Sequence, residues 1–479
     1  MSPGSALVIG GGLAGITAAL RLADAGAEVV LVEARPRLGG AAFSFRRGEL
    51  TVDNGQHVFL RCCDAYRGLL HRLDVEDQVH LQPRLDIPVL RPDGRRARLS
   101  RLPKVPAPLH LGAALAGYGL LSPADRLRAV RGALALRRLD PEDPALDLRS
   151  LGSYLRAHGQ NDAVIDALWG VVATATLNLE PDAASLALAA KVFRTGLLDR
   201  ADAADVGYAV APLGALHSDA AAVALERAGV EVLRSTRVEN LDSASDTSSK
   251  DTASEPVTAR VRGRSGERTL CAASAVVALG HRDAYAISPA LAEQGARRGP
   301  ELGSSPILNV HLVYDRRVTD LAFAAVVGSP AQWVFDRTES SGLRRTQPRG
   351  QYLAITVSAA DALINEPSRT LCERFDHELR ALLPSAGDAV LTDAFVTRER
   401  RATFRQAPGS AALRPGACTD QPSLALAGAW TATGWPDTME SAVRSGVAAA
   451  DVLLRGTGRT GDTRGVATPV GAQPSGRIS

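Results

Sequence analysis

The sequence predicts an α/β protein in which a Rossmann-type unit opens the chain and is joined to an interleaved α+β domain. Three observations lead there. Within the first forty residues a short apolar run, a glycine turn, a segment with helical spacing and a β-branched run follow in that order. A second apolar run, Leu424–Gly428, leads into a turn near the C-terminus. Between the two, Ile307–Tyr314 and Gln351–Ser358 read as strands of a second sheet. At 479 residues the chain is too long for one compact core, so two connected domains are expected.

Taken in order, Ala6–Ile9 predicts the first strand, Ile16–Ala25 a helix and Glu28–Val32 the second strand. Gly26 stands where a helix C-cap belongs. Pro103–Leu139 reads as helical and amphipathic, with prolines at its start; Arg126, Arg128, Arg131, Arg137 and Arg138 oppose a side rich in alanine and leucine. Ala215–Ala228 is a further helix, followed by the strand Val230–Arg234. Thr236–Leu241 and Val257–Arg262 look like strands flanking SASDTSSKDTASE, residues 243–255, an insert without core-forming residues that is expected to be a disordered hairpin tip. Thr269–Leu279 returns to the sheet. Residues 456–479 are rich in glycine, threonine and proline and are expected to be disordered.

Composition narrows the classes. A net charge of +3 leaves no nucleic-acid footprint. Lysines occur only at 104, 191 and 250, the basic side being otherwise arginine. The five cysteines, Cys62, Cys63, Cys271, Cys372 and Cys418, form no CxxC pair and no metal-ligand spacing, and their odd number speaks against a disulfide framework. A reducing compartment and no metal are expected. The apolar run Ala6–Gly12 is too short and glycine-rich for a signal peptide, and no stretch has the ~18 uninterrupted apolar residues of a membrane span. A cytoplasmic protein, soluble or attached to one membrane face, is the expectation.

The strongest local signal is ALVIGGGLAG, which sets Gly10-x-Gly12-x-x-Gly15 between strand and helix. The first glycine permits the tight turn, the second lets a pyrophosphate approach the backbone, and the third allows close helix–strand packing; Leu13 and Ala14 begin the helix, whose N-terminus supplies free N–H groups. Glu33 ends the second strand 23 residues after Gly10, where a carboxylate can hold a ribose 2′-OH. An acidic residue there favours FAD or NAD over NADP.

Several segments together resemble the hydroxysqualene dehydroxylase family of flavoproteins, within the superfamily of amine oxidases and phytoene desaturases. They are Val52–Leu73 (VDNGQHVFLRCCDAYRGLLHRL), Ser305–Val318, Gly328–Thr338, Glu399–Gly409 and TGWPDTMESAVRSG, and the likeness runs from about Ala6 to Leu454. It implies FAD as cofactor and an amine oxidase/GDI-like arrangement. The FAD domain would be discontinuous, from 1–60, 205–285 and 415–455, with 61–204 and 286–414 forming the substrate domain. Gly39-Gly40 would pass close to the pyrophosphate, and Val238, Gly428, Thr438 and Met439 would also meet the cofactor. The helix after Met439, holding Ala442, Val443 and Gly446, would face the flavin pyrimidine edge, where its dipole favours the negative charge of reduction. Two positions depart from the family pattern. Ala41 replaces an arginine that follows the glycine pair, and Ala429 replaces an aspartate that binds the ribityl chain.

The resemblance implies reductive removal of the hydroxyl of hydroxysqualene, giving squalene for hopanoid-type lipids. The substrate alcohol is allylic, so loss of water leaves a delocalised cation that hydride can quench; the protein must place the carbon, exclude water and supply a proton. His57, in Asp53-Asn54-Gly55-Gln56-His57, is the candidate for that polar work, set against a role in fixing a turn. Glu440 is a weaker one, Trp430 and Trp435 are candidates for an apolar tunnel or cation–π contacts, and His311 reads as structural. Two other readings stay open: desaturation of a carotenoid precursor, and a non-catalytic prenyl-lipid carrier like the GDP-dissociation inhibitors. The expected partners are the isoprenoid, upstream synthases of the squalene pathway and the inner face of the cell membrane. For the last, Leu109, Leu111, Leu115, Leu120 and Leu121 are the candidate lipid-facing residues, with Arg126, Arg128 and Arg131 toward the headgroups.

Overall fold

The computed structural model describes residues 4–243, 257–264, 266–288, 291 and 301–456. The polar insert and the C-terminal tail lie outside the described residues, except that Ser243 ends a strand and Gly456 a helix.

A five-stranded parallel sheet positions the site. Its order is Glu231–Leu233, Glu28–Val32, Ser5–Ile9, Ser274–Val277, Leu424–Leu426. The middle strand is buried from Ala6 to Ile9, as the continuous apolar run of a parallel strand covered on both faces requires. Helix Leu13–Asp24 follows it and ends at Gly26, whose φ of +84° turns the chain back into the sheet. Helix Met439–Gly456 crosses this first helix at backbone contact: a Cβ on Gly446 would fall 2.2 Å from the Ala14 carbonyl oxygen. The Arg21–Asp451 ion pair, 2.5 Å, joins the two helices further along.

The run Thr269–Leu279 divides between two sheets. Gly266–Ala272 pairs with Val257–Gly263, which pairs with Arg237–Ser243 in an antiparallel sheet; Ser274–Val277 enters the parallel one. A seven-stranded sheet has the order Leu391–Thr403, Ser305–Tyr314, Gln351–Val357, Trp333–Asp336, Phe323–Val326, Asp86–Leu90, Arg96–Ser100. Helix Ser368–Leu382 buries Leu371, Phe375, Leu379 and Leu382 at its side, the spacing of one helix face. Strand Val58–Leu60 forms a small sheet with Val206–Ala209 and Val79–Leu81.

The region 103–139 differs from the expected single amphipathic stretch. A 3₁₀ turn at Leu109–Leu111 and a short helix at Gly112–Ala116 precede the one long helix, Pro123–Arg137. Gly117, Gly119 and Pro123 break the chain there, and Ser122 caps the new start by accepting the Asp125 N–H. Leu120 and Leu121 are core residues, so they are not the lipid-facing pair the sequence suggested. The guanidinium of Arg126 donates to the carbonyls of Ala116, Tyr118 and Leu121, and Arg128 pairs with Asp125. No helix among the described residues is long and apolar enough to cross a membrane.

Candidate active site

The glycine turn, the Gly39-Gly40 turn and the turn after strand Leu424–Leu426 meet at the carboxyl edge of the parallel sheet, where α/β folds place ligands. Gly10, at φ +108°, lies so close to the neighbouring strand end that a Cβ would sit 2.4 Å from the Ala278 carbonyl oxygen. A Cβ on Gly15 would come 1.8 Å from the Gly10 oxygen, and one on Gly40 2.8 Å from the Gly12 Cα. These three glycines serve the protein's own packing. Gly12 does not: its φ is an ordinary −77°, and a Cβ there would meet nothing nearer than 3.6 Å. No side chain caps the helix it begins, so the first N–H groups, next to buried Leu13 and Ala14, have no side-chain acceptor.

Glu33 is oriented at the end of its strand by two backbone donors, Gly11 N–H to Oε2 and Arg35 N–H to Oε1, both 2.6 Å. A carboxylate has about four lone-pair sites, so acceptor capacity remains for a ribose. Thr236 N–H donates to the Glu33 carbonyl, and Val238 is buried just beyond it in strand Arg237–Ser243 of the antiparallel sheet. Arg37 brings a guanidinium to the second glycine turn: it donates to the Gly40 carbonyl and lies 3.4 Å over the Phe43 ring, and burial holds its pKa down while Glu33 opposes that shift.

The Asp53–His57 loop fastens this turn to the seven-stranded sheet. Asn54 Nδ2 donates to the Ala41 carbonyl and to Glu399, its Oδ1 accepts the Phe43 N–H, and its own carbonyl accepts from Asn309 and Thr397. Buried Asp53 accepts from Ser44, the Leu213 N–H and Arg337, whose guanidinium lies 2.6 Å away. His57 turns back on its own loop, Nδ1 3.2 Å from the Gly55 carbonyl, and burial lowers its pKa. The neutral tautomer with the proton on Nδ1 fits that contact. His311 is buried between Tyr352 and Thr397, with burial pushing it down to about 3.

At the C-terminal side Arg414 holds the loop. Its buried guanidinium donates to the carbonyls of Ala429, Trp430, Thr431 and Trp435, and burial lowers its pKa to about 10. Gly428, at φ +143°, lets the Trp430 indole fold over the strand end and donate to the Leu279 carbonyl, 2.8 Å. Trp430 is buried against Tyr285, and the Trp435 ring is already engaged by Arg444 and Lys191, at 4.9 and 5.6 Å. Thr438 starts the final helix by accepting the Ser441 N–H, and Met439 is its first residue, packed toward the core of the parallel sheet. Both Glu440 oxygens accept N–H groups, from Ala65 and Tyr66, so this carboxylate caps helix Asp64–Arg72 and pairs with Arg444.

Residues 13–454 match the family model described as flavin containing amine oxidoreductase. The chain belongs to this family. As an FAD-dependent oxidoreductase it is 30% identical over 452 residues to a hydroxysqualene dehydroxylase of Rhodopseudomonas palustris, covering 93% of this chain and 97% of that one. It is 25% identical to a zeta-carotene desaturase of Synechocystis, over 94% and 97% of the two chains. Among solved structures, an oxidoreductase from Methanosarcina mazei superposes with a TM-score of 0.71 at 15% identity, over 93% of this chain and 100% of the other. A cyclohexylamine oxidase from Brevibacterium oxydans gives 0.64 at 20% identity, over 95% and 100%.

The residues fit the flavin nucleotide. The space in front of Gly12, the uncapped helix start and the fixed Glu33 carboxylate together form a cradle for a pyrophosphate and a ribose. Ala41 and Ala429 contribute only their carbonyls, to Asn54 and to Arg414 with Ser441.

Four residues that sequence reasoning passed over lie among the turns of this candidate site. Arg337 and Arg414 hold its loops. His217, beside Gly39, accepts or donates at 2.8 Å with buried Tyr66 and meets the Ala42 carbonyl at 3.3 Å; burial and nearby His57 bring it down to about 4. Asp437 lies in the turn before the last helix. Asp437 and Arg337 sit in segments that carry the family resemblance, and His217 in a predicted helix, but none of these segments shows which partner the side chain meets.

Proposed function

We propose that this flavoenzyme reductively removes the hydroxyl of hydroxysqualene to give squalene, in squalene and hopanoid biosynthesis. The observation that carries the reading is the end-to-end likeness to the R. palustris hydroxysqualene dehydroxylase. Under it, Gly10, Gly12, Leu13, Ala14, Gly15, Glu33, Gly39, Gly40, Val238, Gly428, Thr438 and Met439 hold the FAD. When bound and reduced, FAD supplies the hydride that the allylic cation takes up. The protein's own share is to orient the carbon, exclude water and move a proton to the departing oxygen. The Asn54 anchorage of the Asp53–His57 loop keeps the cofactor turn in fixed register with the seven-stranded sheet, which serves orientation. His57 serves the same loop through its Gly55 contact.

Anaerobic incubation with reduced FAD and hydroxysqualene, followed by lipid analysis, tests the reading; squalene is the expected product. Unchanged hydroxysqualene, with extra double bonds appearing instead in a carotenoid precursor under oxidised FAD, would favour the desaturase reading. A colourless protein that binds isoprenoid but no flavin would favour a carrier.

The substrate is insoluble in water, so the reading includes docking on an anionic bilayer face, within the cytoplasm. Supporting this, Leu127, Val130 and Leu134 form one exposed stripe on helix Pro123–Arg137, with Leu109, 68% exposed, on the preceding turn. Arg131 and Arg137 have no hydrogen bond or ion pair among the described residues and are available to headgroups, each worth roughly 1 kcal/mol near the surface.

A further inference from the structure

We propose that Asp437 is the proton donor to the departing hydroxyl. The proposal rests on the dehydroxylation reading and names the group that this reading requires.

Asp437 lies between the loop that Arg414 holds and the start of helix Met439–Gly456, at the carboxyl edge of the parallel sheet. Its backbone is fixed: the N–H donates to Oε1 of Gln406, 2.9 Å, and buried Gln406 donates in turn to the Leu177 carbonyl. One carboxyl oxygen, Oδ2, accepts the Phe404 N–H at 2.8 Å. The other has no hydrogen-bond partner among the described residues, yet it is not sealed off. Protein surrounds the residue while part of its surface stays accessible. The charged group that faces it is Arg414, whose guanidinium is committed to carbonyls and forms no hydrogen bond with the carboxyl. Burial therefore dominates and raises the carboxyl to about 6, close to a working pH, with the Phe404 N–H and Arg414 only partly opposing the shift.

His57, His217 and Glu440, also around the site, each lack one of these properties. Burial disfavours the protonated forms of His57 and His217, which leaves neutral imidazoles with no acidic proton to give. Both Glu440 oxygens are taken by N–H donors. Asp437 combines a carboxyl whose pKa is raised toward a working pH with an oxygen free of hydrogen-bond donors among the described residues.

In the step, the Asp437 proton passes to the hydroxyl oxygen and the C–O bond breaks, its electron pair leaving with water. Reduced FAD, when bound, would supply the hydride that quenches the allylic cation, and solvent would reprotonate the Asp437 carboxylate.

The test is Asp437→Asn in the flavin-loaded enzyme, with Asp437→Glu as the variant that keeps a carboxyl. D437N is expected to load FAD normally and to lose roughly 10²–10⁴-fold in kcat. Wild-type kcat should fall as pH rises through about 6, D437N should lack that limb, and D437E should retain one. A second readout needs no turnover. The folded carboxyl is raised from 3.8 to about 6, so the folded state binds the extra proton between these values. The Tm of wild type relative to D437N should therefore decline as pH rises from about 4 through about 6, then level off. Squalene from wild type together with unimpaired D437N, or a Tm difference independent of pH, overturns the donor role alone. No squalene from wild type overturns the dehydroxylation reading, and the donor role with it.

Discussion

Two turns that meet at the carboxyl edge of the parallel sheet are built on opposite principles. Around Gly10–Gly15 the shape is made by backbone with no side chains in the way. The Gly428–Asp437 loop is shaped instead by one long side chain, Arg414, whose guanidinium gathers four carbonyls. The first should tolerate no added atom at its packed glycines and the second no lost donor. A local motif can specify the first; the second exists only after Arg414 has been brought to it by the fold.

The largest effect expected from this contrast is at Gly15. Gly15→Val puts a branched side chain where even a Cβ falls 1.8 Å from the Gly10 oxygen, and should cost more than about 4 kcal/mol. Denaturant unfolding, or failure to recover folded protein, checks it. Arg414→Met leaves buried carbonyls unpaired and should destabilise by about 3–5 kcal/mol in the same assay. A loss below about 1 kcal/mol there would mean that the loop holds itself and the contrast is wrong.

Gly12 sharpens the comparison because it belongs to the first turn yet has room for a Cβ, which would meet only the Gly40 Cα at an ordinary 3.6 Å. Gly12→Asp should keep the apo protein within about 0.5 kcal/mol of wild type but weaken FAD binding by roughly 100-fold or more, about 2.7 kcal/mol. Flavin fluorescence titration alongside apo Tm separates the two outcomes; full flavin retention would remove the phosphate role assigned to the space.

His217 ties the Gly39–Ala42 turn to the core through Tyr66. His217→Phe leaves the buried Tyr66 hydroxyl without that partner and should cost about 1–3 kcal/mol at neutral pH. Its pH signature has a definite sign. The folded pKa is lowered from 6.5 to about 4, so the unfolded state binds the extra proton in that window. Wild-type stability relative to the Phe variant should therefore fall as pH drops from about 6.5 to about 4, opposite in sense to the change at Asp437.

The smallest effect on folding belongs to the exposed stripe. Serine at Leu127, Val130 and Leu134 together should change stability by less than about 1 kcal/mol while releasing flavin-loaded protein from anionic vesicles in a flotation assay. Undiminished flotation would place the membrane contact elsewhere.

Much of this architecture was legible beforehand where the signal is local. Strand Glu28–Val32 has the bounds its β-branched run predicts, and Gly26 takes the left-handed conformation expected of it, because each answers to neighbours within a few residues. The Gly10–Gly15 spacing and Glu33 likewise define their places by counting along one βαβ unit. Other signals left alternatives open that only a partner could decide. Leu120 and Leu121 looked lipid-facing, and Glu440 a candidate for chemistry, until their neighbours were known.

By itself, then, the sequence determined the α/β class, the glycine turn with its acidic partner, and the flavoprotein family. These are written in backbone conformations and periodicities that need no distant contact. Only the tertiary structure decided which polar and charged groups act together. Arg337 meets Asp53 from 284 residues away and Asn54 meets Glu399 from 345, and burial then lowers the pKa of His217 and raises that of Asp437. Desolvation depends on everything packed around a group, and no stretch of sequence contains that information.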